Sequence, residues 1–160
     1  MKRKLYVETS VVSYLVGRAS PNTVIAGHQA ATQALWKRLN RVFVPFISDL
    51  VIQESSGGDP VQASMRLAAI KAMPILAVDQ NVESVARILI KQKAVPEKCP
   101  EDAVHIATAA VNKMALIVTW NFKHINNPVM KQRMRDVLAR NGYVLPEICS
   151  PDELLEVEDD

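Results

Sequence analysis

The stretch LYVETSVVSYL, Leu5–Leu15, runs apolar, stops on a carboxylate and two hydroxyls, and turns apolar again. An apolar run that ends on Glu8 reads as a buried strand that carries an acid to its C-terminal edge. Three other stretches have the same shape. Val42–Ile47 (VFVPFI) leads into Ser48-Asp49, Ile75–Val78 (ILAV) into Asp79, and Leu116–Val118 (LIV) into Thr119-Trp120-Asn121. Short continuous apolar runs, rather than alternating ones, are what a parallel sheet covered on both faces requires.

Between these runs lie helical patterns. From Pro21 to Asn40, residues Val24, Ile25, Ala31, Leu35 and Leu39 recur at helical spacing. Ser48 is placed to cap a helix that holds Leu50, Val51 and Glu54 and stops at Gly57-Gly58. Asp59-Pro60, Pro100 and Pro128 each open a further pattern, as proline does at a first helical position. Gln80–Ala94 repeats Val82, Val85, Ile88 and Leu89. Gly142 sits where a helix end favours a left-handed residue, and Ser150 with Glu153 forms a capping box. Strands alternating with helices predict one α/β domain, three-layer α/β/α, with a central, mostly parallel sheet.

Composition sets bounds. A chain of 160 residues, 49% hydrophobic and 22% charged, suits one soluble domain with a sizeable core. There is no apolar run of about 18 residues to predict a membrane span, and Glu8 interrupts the first apolar stretch too early for a secretory signal. Cytoplasmic residence is the expectation, with Cys99 and Cys149 as free thiols. The net charge of +2 conceals an acidic end, residues 156–160, with four of the 17 acids; the remaining 13 face 19 bases. That mildly basic body permits a phosphate-bearing partner. The acidic end is expected to fray.

Ligands of open parallel sheets bind beyond the carboxyl ends of the strands. Glu8, as the last residue of the first strand, and Asn121, just past another, arrive at that edge. Asp102 is the third residue of the helix begun by Pro100, and Glu54 lies one to two turns into its own helix. Each has a second reading. An acid in a first turn complements the helix dipole, Glu54 fits a surface position, and Asn121 is a good turn former. Glu8 is different, because a carboxylate at the end of a central strand is desolvated unless a cation or donors satisfy it.

The four segments YVETSVVSYL, SDLVIQE, EDAVHIATA and LIVTWNFKHI, in that order, resemble those of PIN domains, the family that includes the VapC-type toxins of bacterial toxin–antitoxin pairs. The ending GYVLPEICSPDEL strengthens the likeness to one VapC-like subgroup. The resemblance implies a PIN-like domain over residues 1–155 and a metal-dependent ribonuclease. It implies the acid positions at Glu8, Glu54, Asp102 and Asn121, with Thr9, Ser10 and Thr119 supporting the site. It also implies an RNA substrate, a small antitoxin protein as partner, and dimerisation. Two positions depart from the family pattern: Glu8 and Asn121 stand where Asp is usual.

Hard oxygen ligands select Mg2+ or Mn2+. Glu8 and Asp102 are the expected primary metal ligands, with Glu54 bridging or acting through water. The neutral Asn121 leaves three formal charges, so the expectation is one ion on the free protein and a second recruited with substrate. His105, Lys123, His124 and Trp120 are candidate substrate contacts, each with an alternative as a packed or solvated side chain. Two other classes compete: a PIN-fold module that binds RNA or protein without turnover, and a phosphorylation receiver domain. The receiver needs an acid pair after the first strand, where only Glu8 stands.

Overall fold

The structure, a computed structural model, describes residues 1–159; Asp160, the last residue of the acidic end, lies outside them. Five strands form one sheet: β1 (Arg3–Val7), β2 (Phe43–Ser48), β3 (Ile75–Leu76), β4 (Leu116–Val118) and β5 (Glu147–Cys149). Their order is β3-β2-β1-β4-β5, and every pairing is parallel. This is the α/β architecture that the apolar runs predict. Leu5, Tyr6 and Val7 on β1 and Ile117 and Val118 on β4 have no exposed surface, as central strands covered on both faces require.

Eight helices cover the sheet: α1 (Thr9–Val16), α2 (Thr23–Val42), α3 (Asp49–Ser55), α4 (Pro60–Ile70), α5 (Gln80–Lys91), α6 (Pro100–Val111), α7 (Pro128–Arg140) and α8 (Pro151–Leu155). The packing pairs α2 with α8 and α1, and α1 with α4; α5 packs with α6 and α7. Right-handed crossovers account for the two groups. The chain moves from β1 outward through β2 to β3, then crosses back to β4 and β5 in the opposite direction, so its helices change faces. Helix α6, where Ala103, Ile106, Ala107, Ala109 and Ala110 are all buried, is apolar almost all round because it lies in the interior.

Pro45 sits inside β2, yet β3 pairs only with Ile47 and Ser48, so on that side β2 is an open edge at the proline. Three features differ from expectation. Glu8 is not the last strand residue but the N-cap of α1, a helix hidden in the sequence by its β-branched residues. The third strand shrinks to two residues, and β5 is a strand beyond the four apolar runs. The described part of the acidic end is tied to α2: Arg38 donates to the carbonyls of Leu155 and Val157, and Arg41 pairs with Asp159 at 2.5 Å. Among the described residues no helix is long and apolar enough to cross a membrane.

Two glycines test the backbone directly. Gly142 has φ +83 with open space around its missing side chain, whereas Gly27 lies exposed inside α2, also with open space. Gly142→Ala is expected to lower stability by about 1–2 kcal/mol through its left-handed backbone. Gly27→Ala is expected to raise it by roughly 0.5–1 kcal/mol through helix propensity. Urea melts of the two variants check the opposite signs.

Candidate metal centre

The order of the sheet makes the site. From β1 the chain goes one way to β2, while β4 lies on the other side, so the crevice at their C-terminal ends is a topological switch point. Glu8 leaves β1 there in extended backbone, and its side chain folds back to cap its own helix. Oε2 accepts from the Ser10 N–H at 2.9 Å, and Oε1 accepts from the hydroxyls of Ser10 and Thr119. Ser10 Oγ also accepts from the Trp120 N–H at 2.9 Å, and Thr119 Oγ1 from the Asn121 N–H at 3.0 Å. The extra methylene of Glu8, relative to the usual Asp, is taken up by this backward turn. Only 6% of the residue is exposed.

Glu54, near the end of α3, meets Glu8 and His105. Its Oε1 accepts from Thr9 Oγ1 at 2.7 Å and lies 2.7 Å from His105 Nε2, which is 3.9 Å from Glu8 Oε2. Ligand atoms of Glu8, Glu54 and His105 all lie within 4.8 Å of one another, a spacing that suits a cation. His105 Nδ1 is 2.6 Å from the Tyr6 hydroxyl, which lies 2.8 Å from Ser48 Oγ. Tyr6 and Ser48 were not foreseen as part of the site. A tyrosine in a central strand signals them, since a buried phenol needs a partner for its O–H.

Asp102 sits in a second group. Its Oδ1 accepts from Asn121 Nδ2 at 3.2 Å, and Oδ2 is 3.0 Å from His124 Nδ1. The Asn121 carbonyl in turn accepts from the His124 N–H at 2.9 Å. Asn121 thus orients Asp102 and His124, with its amide engaged at both ends. Asp102 and Glu8 share the edge closely enough that the charge of one acts on the other.

The candidate substrate contacts divide. Lys123 is exposed beside the site, and His124 is 12% exposed. His105 corrects expectation: with 1% exposure and both ring nitrogens engaged, it holds Glu54 and has no surface for substrate. Trp120 is likewise packed, stacked on His28 at 4.0 Å with its indole N–H donated to Thr32. Asp79, the acid a receiver domain would phosphorylate, caps α5 through the Val82 N–H.

Among the described residues, no Lys or Arg pairs with Glu8, Glu54 or Asp102; the basic side chains that do are the imidazoles of His105 and His124. Burial works to raise the Glu54 carboxyl, but the His105 hydrogen bond and charge, with the Thr9 hydroxyl, hold it below its ordinary value. Burial opposes charge on His105, yet Glu54, Glu8 and Asp102 outweigh it and hold the imidazole above its ordinary value. For Asp102 burial prevails: the hydrogen bond from His124 and the charges of His124 and His105 offset it only in part, Glu8 adds to it, and the carboxyl stays above its ordinary value.

Comparison with protein-family profiles and with curated proteins found no match. Among solved structures, the chain is similar to a chain of VapBC2 from Rickettsia felis bound to a DNA fragment from their promoter. The TM-score is 0.58 at 14% identity, covering 92% of this chain and 98% of that one. At that identity the likeness concerns the fold, which is the PIN-like α/β fold expected from the sequence.

The charges set a pH signature for the metal-free protein. The stability from His105 is full below 6.5 and lost as pH rises through its raised folded value. That from Glu54 is present above 4.5 and lost as pH falls through its lowered value. In chelator, His105→Gln is therefore expected to lower Tm most between about pH 4.5 and 6.5, with a smaller loss as the pH rises. Asp102 has the opposite sign to Glu54: its raised carboxyl favours the fold only when protonated, so Asp102→Asn is expected to raise Tm near pH 7. Thermal melts across pH check both; a His105→Gln loss that does not vary with pH contradicts the first.

Proposed function

We propose that this protein is a metal-dependent endoribonuclease of the PIN, VapC-like type that hydrolyses RNA phosphodiester bonds. The observation that supports the reading is that Glu8 and Glu54, with His105, bring ligand atoms within 4.8 Å of one another at the switch point, with Asp102 in a neighbouring group, and that among the described residues no lysine or arginine pairs with any of the three acids. Carboxylates that are buried, as Glu8 is, or part-buried, as Glu54 and Asp102 are, with only imidazoles as basic partners, suit a divalent cation. The donor set suits Mg2+ or Mn2+: Glu8 and Glu54 would hold the ion, with Asp102 from the neighbouring group as the third carboxylate ligand. When bound, such an ion lowers the pKa of water and neutralises charge on the phosphate.

The chain's own residues do the positioning. Thr119 and Ser10 fix the Glu8 carboxylate, Thr9 fixes Glu54, and Asn121 fixes Asp102. These hydroxyls and the amide act as orienting donors. His124 beside Asp102, with Lys123 exposed on the same loop, is placed to receive a phosphate. The solved neighbour is a VapBC complex on promoter DNA, which supports a toxin role here with a small antitoxin as partner; the homodimer rests on the PIN resemblance alone.

A second reading, a PIN-fold module that binds RNA or protein with little turnover, draws on two features. The Asn121 carbonyl is taken by the His124 N–H, and Glu8 already accepts three hydrogen bonds. RNA cleavage with Mg2+ or Mn2+ decides. The expected result is chelator-sensitive cleavage, with Asp102→Ala and Glu8→Gln each slower by about 100-fold or more, as losing several kcal/mol of charge stabilisation implies. Equal, chelator-insensitive rates in wild type and Asp102→Ala overturn the nuclease reading. RNA binding without cleavage selects the module.

A further inference from the structure

We propose that Cys99, Asp102 and His124 form a site for a thiophilic divalent cation of the zinc class, distinct from the carboxylate centre on Glu8 and Glu54. The thiol sulfur, a carboxylate oxygen of Asp102 and a ring nitrogen of His124 all lie within 4.8 Å of one another. They come from two separate segments, the start of α6 and the loop after β4. A tetrahedral ion with bonds of about 2.0–2.3 Å needs its donors about 3.5 Å apart, so small side-chain rotations close the site.

Three features prepare these donors. Cys99 occupies the N-cap of α6, a position where Ser, Thr, Asp or Asn is preferred, and makes no side-chain cap hydrogen bond. Its sulfur is therefore not spent on the helix. Pro100 at the first helical position sets the turn, in which the Asp102 N–H bonds the Cys99 carbonyl at 3.2 Å, bringing the thiol and the carboxylate to one end of the helix. His124 is fixed independently through its N–H to Asn121, with its ring already 3.0 Å from Asp102 Oδ2.

The chemistry of the set is specific. One thiolate, one imidazole and one carboxylate leave a fourth tetrahedral position open to water, and side chains of Asp102 and His124 that are 16% and 12% exposed leave a way in. Sulfur and nitrogen donors select zinc or cobalt over magnesium, whereas the Glu8–Glu54–His105 group contains no sulfur. Binding deprotonates the thiol, and the proton goes to solvent. Asp102 is common to this site and to the proposed nuclease centre, so a zinc-class ion takes a ligand away from that centre.

The test is a cobalt(II) titration of the reduced full chain, followed by optical absorption. The expected result is one equivalent bound with a thiolate-to-cobalt charge-transfer band, displaced by zinc. Cys99→Ser is expected to lose the band and weaken cobalt binding at least about tenfold, the low end of the cost of losing even an outer partner. Serine is a good cap, so the fold should survive, which circular dichroism confirms. Cys149→Ser and Glu54→Gln should keep the band. Its absence from the wild type, or its persistence in Cys99→Ser, overturns the proposal. The signal does not depend on RNA. A band without cleavage leaves this site standing while the nuclease reading falls, and cleavage without a band does the reverse.

Discussion

A carboxylate is buried at the end of the central strand, and the rest of the molecule is arranged around satisfying it. Glu8 has 6% of its surface exposed, where an unpaired charge costs several kcal/mol. Three donors meet it: the N–H and hydroxyl of Ser10 and the hydroxyl of Thr119. These come from α1 and from the end of β4, so one side chain ties a helix start to two neighbouring strands. Ser10 then takes the Trp120 N–H, and Thr119 the Asn121 N–H, which sets the course of the loop carrying His124. The fold and the site are therefore not separable here, because the bonds that hold the acid also aim the loop.

Charge balance follows the same economy. His105 links Glu54 to a buried chain through Tyr6 and Ser48. Burial pushes the Tyr6 phenol far up, so it stays neutral and offers one proton and one acceptor. With an imidazolium, Nδ1–H donates to the phenol, which donates onward to Ser48. With a neutral ring protonated at Nε2, the phenol donates to Nδ1, and Ser48 donates to the phenol. Both states leave the Tyr6 hydroxyl, His105 Nδ1 and Ser48 Oγ each with a hydrogen-bond partner. Hydroxyl rotation alone lets His105 lose its proton without a rearrangement of the core.

Much of this is legible in the sequence, for physical reasons. β1 and β4 announce themselves because their apolar residues are buried, β2 by its apolar run even though Val44 is exposed, and polar residues mark the end of each. Helix starts at Asp59-Pro60, Pro100 and Pro128 follow from cap chemistry alone, and the Ser150–Glu153 capping box forms as expected. Helix α1 is hidden because Thr9, Ser10, Val11 and Val12 have weak intrinsic helix preference, and tertiary packing overrides it. β5 is three residues with only Ile148 buried, so its partner strand defines it more than its own composition does. At the site, acids near strand ends stand out. The partners do not: Tyr6 reads as core, Cys99 as an inert thiol, and the division of the donors between His105 and His124 depends on contacts across 51 and 22 residues of chain.

The choice of partners for the acids is itself informative. Lysine or arginine would satisfy Glu8, Glu54 and Asp102 more strongly than hydroxyls, imidazoles and an amide do. A buried ion pair of that kind, however, costs about 3–5 kcal/mol to break, and an arriving cation would have to meet that cost before binding. Neutral donors leave the carboxylates charged and part of their lone-pair capacity free. Imidazoles can surrender a proton where a guanidinium cannot. The length of Glu8 fits this balance: its arm reaches back to its own helix and still presents its carboxylate beside Glu54.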